Sequence, residues 1–263
     1  MAQSTLTQLA PDALADYLDT QQLGHGAVRA TVLHHTWKPR AWQYQGRETI
    51  AAIRQFHVQS RGWSDIGANF YACPDSTVFT GRPLSRTNWA HALVTKDYRS
   101  LEPAVQQLAG HNVQWFNHYA LGVETVADFD NESLAEDQPA ARSLETALQV
   151  LAAVHAYYNL PVSRLFFHRD VSRKSCPGAQ LDRTDIRRRL NMVLTGGQRW
   201  GDGPLQGVIL MRDGEQVNYP GLMYSGQAYV HTRALEWACP GADLFPEHIP
   251  TQRKLYVRLP TLG

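Results

Sequence analysis

Two short apolar runs in this chain each stop at a histidine. Thr31-Val32-Leu33 runs into His34, and Leu165-Phe166-Phe167 runs into His168. Compact β-branched and aromatic runs bounded by polar residues read as buried strands. What lies between them limits the fold further. Leu144, Leu148, Leu151, His155 and Tyr158 recur at spacings of four, three, four and three, which marks an amphipathic helix ending before Pro161. Arg47 to Gln59 predicts another helix, with Ile50 and Ile53 inward, and Asp185 to Leu194 a third. Pro11 to Leu18 predicts a short one. Phe70 to Arg82 predicts a hairpin turning at Pro74-Asp75-Ser76, and Ala120 to Val126 a further strand. Strands alternating with helices indicate an α/β fold, a mixed central β-sheet flanked by helices.

The pattern breaks into a glycine-rich loop from Thr195 to Pro204, which predicts one domain over 1–198 and a small C-terminal α+β domain over 204–263. In the latter, Val208 to Val217 predicts a hairpin turning at Asp213-Gly214, Gly226 to Val230 a strand, and Arg233 to Trp237 a short helix. Net charge is +1, which gives no electrostatic case for nucleic acid. Hydrophobic residues make up 43%, with no window apolar enough to insert in a membrane. Three cysteines, Cys73, Cys176 and Cys239, are too few and too scattered for a disulfide framework. Residues 1–11 have neither a basic start nor an apolar run, so no signal peptide is expected. The chain is expected to be made in the cytoplasm and to leave it, if it does, by lysis or signal-independent release.

Three places offer metal chemistry: His34, His168 and, eight residues later, Cys176 in Lys174-Ser175-Cys176-Pro177-Gly178. Two imidazoles and a thiolate suit Zn²⁺, and three protein ligands leave a fourth position open, as catalytic sites do. Such an ion lowers the pKa of water toward about 7 and polarises a carbonyl. A thiol hydrolase with Cys176 as nucleophile is a second use of the same residues. Chelator sensitivity separates the two.

The runs Val32 to Thr36, Gly62 to Phe70, Val78 to Arg82, Trp89 to Ala92, Ala120 to Glu124, His168 to Asp170 and Lys174 to Gly178 occur in an order that resembles the type 2 N-acetylmuramoyl-L-alanine amidases. That family includes peptidoglycan recognition proteins and phage lysozyme-like amidases. The resemblance covers roughly residues 28–195. It implies the family's fold, peptidoglycan or muropeptides as substrate, and one Zn²⁺ held by His34, His168 and Cys176. His35, beside a ligand, is expected to pack or hydrogen-bond. The family's tyrosine after the Asp-Ile-Gly run is here Ala68. Glu124 falls where the cytosolic anhydro-muropeptide amidases have a catalytic glutamate, and those enzymes also resemble this chain in carrying alanine at the tyrosine position. They use an aspartate where this chain has Cys176, so the resemblance does not decide between polymeric wall and soluble fragments. Lys174 matches a lysine placed to stabilise an oxyanion, and His91 and Trp89 match cleft residues expected to touch substrate. Muropeptide binding without cleavage is the alternative. Residues 204–263 weakly resemble the N-terminal-like domain of copper amine oxidases, with no copper implied.

Overall fold

The computed structural model describes residues 4–23, 27–86, 88, 91, 101–110, 112 and 114–195, together with the strands within 208–258. The chain divides into two compact units, Met1–Leu190 and Asn191–Gly263.

In the first unit the strands are β1 (Gln8–Leu9), β2 (Ala30–His35), β3 (Phe70–Ala72), β4 (Val78–Thr80), β5 (Ala120–Thr125) and β6 (Leu165–Phe167). The helices are α1 (Leu14–Thr20), α2 (Arg47–Gln55), α3 (Pro103–Ala109), α4 (Trp115–Tyr119), α5 (Pro139–Tyr157), α6 (His168–Val171) and α7 (Arg183–Leu194). One sheet runs in the order β1-β4-β3-β5-β2-β6. Its β3, β5, β2 and β6 are parallel neighbours, while β4 is antiparallel to both β3 and β1. The sheet is therefore mixed, as the alternating pattern predicts. All six residues of β2 are buried, which explains why the strand reads as a continuous apolar run rather than an alternating one.

The two faces of β2 can still be told apart. Ala30 and Val32 pack with Val105, Ala109, Phe116 and Phe166, so α3 and α4 cover that side. Thr31, on the opposite side, has its hydroxyl 2.8 Å from His155 Nε2 of α5. Strand side chains alternate, so His34 ends the row begun by Ala30 and Val32. On the antiparallel half, Ile50 and Ile53 of α2 pack against Tyr71, Cys73 and Phe79. Burying one such side chain contributes about 1.5–3 kcal/mol.

Helix α5 opens on Pro139 in its first turn, where a missing N–H costs nothing, and ends ahead of Pro161. The helix expected over Arg47 to Gln59 is α-helical only to Gln55, and Phe56–Ser60 widens into a π turn. There the His57 ring stacks on Trp63 at 4.6 Å, a contact the loop after the helix supplies.

In the second unit the strands are β7 (Val208–Arg212), β8 (Glu215–Tyr219), β9 (Leu222–Tyr224), β10 (Gln227–Tyr229), β11 (Pro246–Ile249) and β12 (Lys254–Arg258). Four form a sheet in the order β11-β12-β7-β8, and β9 pairs with β10. Arg212 lies opposite Glu215, the register read from Asp213-Gly214. The helix expected at Arg233 to Trp237 falls outside the described residues. Among those described, no helix is long and apolar enough to cross a membrane.

Candidate metal centre

Strand register brings the chemistry together. In the parallel pair β2/β5, His34 sits opposite Glu124, so both side chains leave the same face on neighbouring strands. In the parallel pair β2/β6, Leu33 sits opposite Phe167, so His168 begins α6 beside His34. All three strands end at one edge, where open α/β sheets place their sites. Asp170 holds the start of α6, accepting the Phe167 N–H at 2.8 Å and pairing with Arg183 at 2.7 Å.

Cys176 reaches this edge from the loop after α6. The His35 N–H points at its sulfur at 3.4 Å, and its own carbonyl accepts the Arg169 N–H at 2.7 Å. Asp130 brackets the turn from both ends, accepting Ser175 Oγ at 2.9 Å and the Ala179 N–H at 2.7 Å. Gly178 has φ +122, and a Cβ there would lie 2.5 Å from the Phe129 carbonyl carbon. The close approach of the two loops therefore requires glycine.

The donor atoms of His34, His168 and Cys176 all lie within 4.8 Å of one another, and all three residues are buried. Cys176 Sγ is 3.8 Å from His34 Nδ1. Tetrahedral zinc with one nitrogen and one sulfur ligand separates those donors by roughly 3.5 Å. Burial, then repulsion with the neighbouring His168 ring that charging both would bring, keeps His34 well below its ordinary pKa. Burial, then Lys174, holds His168 down at about 3. Burial, then Glu124, pushes the Cys176 thiol well up. The imidazoles are thus neutral and ready to ligate, and a dication among them would turn the thiol into a thiolate with release of a proton. The donor set fits zinc.

Glu124 is half-buried at the edge of this cluster, and burial raises its carboxyl to about 7 against the opposing pull of Lys174. Lys174 is exposed, and its charge acts on His34, His168, Glu124 and Cys176 alike, which puts it in their neighbourhood. His35 stays outside the triad of donors, its Nδ1 accepting the Phe129 N–H at 3.1 Å.

His91 is fully buried, with Nδ1 2.9 Å from His34 Nε2 and Nε2 3.2 Å from the Ala120 carbonyl oxygen. Both ring nitrogens are engaged inside the protein, one of them on a candidate ligand. Burial holds it down at about 4. Trp89 lies outside the described residues. Ala68 is buried, its N–H donating to the hydroxyl of fully buried Tyr71 at 3.1 Å. Asp130 was not among the sequence candidates, since nothing local in Asp128-Phe129-Asp130 points to a loop 45 residues away.

The family model described as N-acetylmuramoyl-L-alanine amidase matches residues 24–179. Peptidoglycan-recognition protein LB of Drosophila melanogaster is 25% identical over 160 residues, 59% of this chain and 57% of the fly protein, so the match spans little more than half of that relative. An endolysin of Enterobacteria phage K11 is 26% identical over 134 residues, 51% of this chain and 72% of the endolysin. Among solved structures, an endolysin N-acetylmuramoyl-L-alanine amidase from Clostridium intestinale aligns with a TM-score of 0.44 at 22% identity, covering 72% of this chain and 94% of that one. The family model takes in both strand-end histidines, Glu124 and Cys176 within a single match over more than half of the residues. The chain belongs to the N-acetylmuramoyl-L-alanine amidase family.

Proposed function

We propose that this chain is a zinc-dependent amidase that hydrolyses the amide between N-acetylmuramic acid and L-alanine in peptidoglycan or its fragments. The observation that carries the reading is the gathering of His34, His168 and Cys176 donor atoms within 4.8 Å at the ends of parallel strands. These three would hold the ion. A bound zinc ion supplies Lewis-acid polarisation of a carbonyl and acidifies water.

The remaining work falls to the chain's own side chains. Glu124, with a carboxyl near pH 7, gives up and regains a proton at small cost at neutral pH. It takes the proton from the attacking water and passes it to the nitrogen of the departing L-alanine. Lys174 presents a cation from the exposed rim and stabilises negative charge developing on the carbonyl oxygen. Trp89 is proposed as a substrate contact on its place in the Trp89-Ala90-His91 run. Family membership and the endolysin relative support cleavage; the relatives named as recognition proteins, with Ala68 in place of the family's tyrosine, support binding without it.

The test is direct. Purified protein should carry about one zinc per chain and release stem peptides from muropeptides, and chelation should stop it. Glu124→Ala should keep the metal and lose at least about 100-fold in turnover, within the usual range for a proton-transfer residue. Cys176→Ala should lose metal and activity together. Full activity in Glu124→Ala rejects the proton carrier, and muropeptide binding without any peptide release establishes the recognition reading. Intact sacculi against 1,6-anhydro muropeptides then decide the substrate form.

A further inference from the structure

The hydrogen-bond chain behind His34 has a single consistent arrangement of protons. His91 Nε2 faces the Ala120 carbonyl oxygen at 3.2 Å. A carbonyl only accepts, so this nitrogen carries the proton. The neutral ring then has a bare Nδ1, which lies 2.9 Å from His34 Nε2. His34 must donate there, so its own proton sits on Nε2. The nitrogen left bare on His34 is Nδ1, the one turned toward Cys176 Sγ at 3.8 Å.

Two further features hold His91 in this place. The His91 ring is fully buried, with its centroid 5.1 Å from that of His34. Beneath the ring lies Gly122 of β5. A Cβ there would come within 2.8 Å of His91 Cε1 and 3.0 Å of Asn88 Nδ2. The Gly122 N–H is fixed by Asn69 Oδ1 at 2.8 Å, and the same oxygen accepts Asn88 Nδ2 at 3.1 Å. Asn69, Asn88 and Gly122 thus build the floor on which the ring rests.

We propose that His91 is a positioning residue that pins the His34 proton on Nε2 and turns Nδ1 toward the metal, with the Ala120 carbonyl as the anchor of the relay. The inference rests on the reading of His34 as a ligand. Partners that orient a ligating histidine typically matter by about 10–100-fold in metal affinity.

Two measurements test it. In the zinc-free, ¹⁵N-labelled protein at neutral pH, His34 and His91 should both show the Nε2–H tautomer. A through-hydrogen-bond ¹⁵N–¹⁵N coupling should join His34 Nε2 to His91 Nδ1. A proton on His34 Nδ1, or no coupling between the two rings, overturns the proposal whether or not any variant folds. The second measurement is zinc affinity by chelator competition. His91→Phe keeps the bulk and removes the acceptor, and should bind about 10–100-fold more weakly. His91→Asn returns an acceptor near the Nδ1 position and should recover part of that loss. A folded His91→Phe protein with unchanged affinity overturns the proposal while leaving the metal-site reading intact. A wild-type protein that binds no zinc overturns both.

Discussion

At Gly178 a single hydrogen atom in place of a side chain decides whether the Cys176 loop can close. With φ +122 and the Phe129 carbonyl carbon 2.5 Å from any Cβ, Gly178→Ala faces both a forbidden backbone region and a backbone collision. Backbone cannot swing aside as the end of a long side chain can, so the 129 and 178 loops must part. The variant should lose roughly 2 kcal/mol or more of stability, in line with strain at a special backbone conformation. Zinc binding should weaken with it, because Cys176 rides on the displaced turn. Thermal melting and a zinc titration check this; an alanine variant indistinguishable from wild type in both would show that the loop contact does not position the sulfur. Residues in the strand ends were legible from sequence because the apolar runs point at them. The contacts of Asp130 and His91 were not, since these two act on residues 29 to 57 positions away through hydrogen bonds that no local pattern records.

Among the elements, α5 and β2 show how an apolar period hides a polar tie. His155 occupies a core position of the helical repeat, yet its ring is satisfied at both ends. Nδ1 donates to the Leu160 carbonyl at 3.1 Å, which leaves Nε2 to accept the Thr31 hydroxyl at 2.8 Å. Thr31→Val removes that donor and strands a buried acceptor, at a cost of about 1–3 kcal/mol. Adding His155→Leu removes the stranded acceptor as well, so the double variant should recover stability relative to Thr31→Val. Chemical denaturation of the four proteins in this cycle measures the coupling, and strictly additive losses would mean the bond contributes nothing to docking α5 on the sheet. While α5 starts at Pro139, one turn and more before the Leu144 that opens its repeat, the extents of β2, β5 and β6 follow closely from their apolar runs. The π turn after α2 does not, because its contact comes from Trp63 in the next loop and not from the helix's own repeat.

Over the whole molecule, buried and half-buried histidines set the response to acid. Burial leads the causes that hold His57, His91 and His155 down at about 4 and His168 at about 3. An unfolded chain would protonate them near pH 6.5. Between those values the unfolded chain binds more protons than the folded one, so stability rises with pH across the window and is lost as pH falls through it. Glu124 opposes this. Raised to about 7 by burial, it keeps a proton in the folded chain that the unfolded chain has already released, and stability from this group falls as pH rises toward 7. One carboxyl stands against four imidazoles, so the melting midpoint of the zinc-free protein should drop steeply on going from pH 7 to pH 4.5. A midpoint that stayed level or rose on acidification would show that these histidines are not held neutral in the folded state.

Periodicity, strand-ending histidines and the order of short motifs are local properties, and from them the sequence alone determined the α/β architecture of the first unit and the residues able to grip a metal. The tertiary structure decided which of those residues meet. A one-residue slip in parallel register would turn His34 to the opposite face of the sheet, away from Glu124 and Cys176. It also decided that His91 meets a candidate ligand. That depends on a hydrogen-bond chain through Ala120 and His34, and on a glycine beneath the ring, none of which adjoins His91 in the chain.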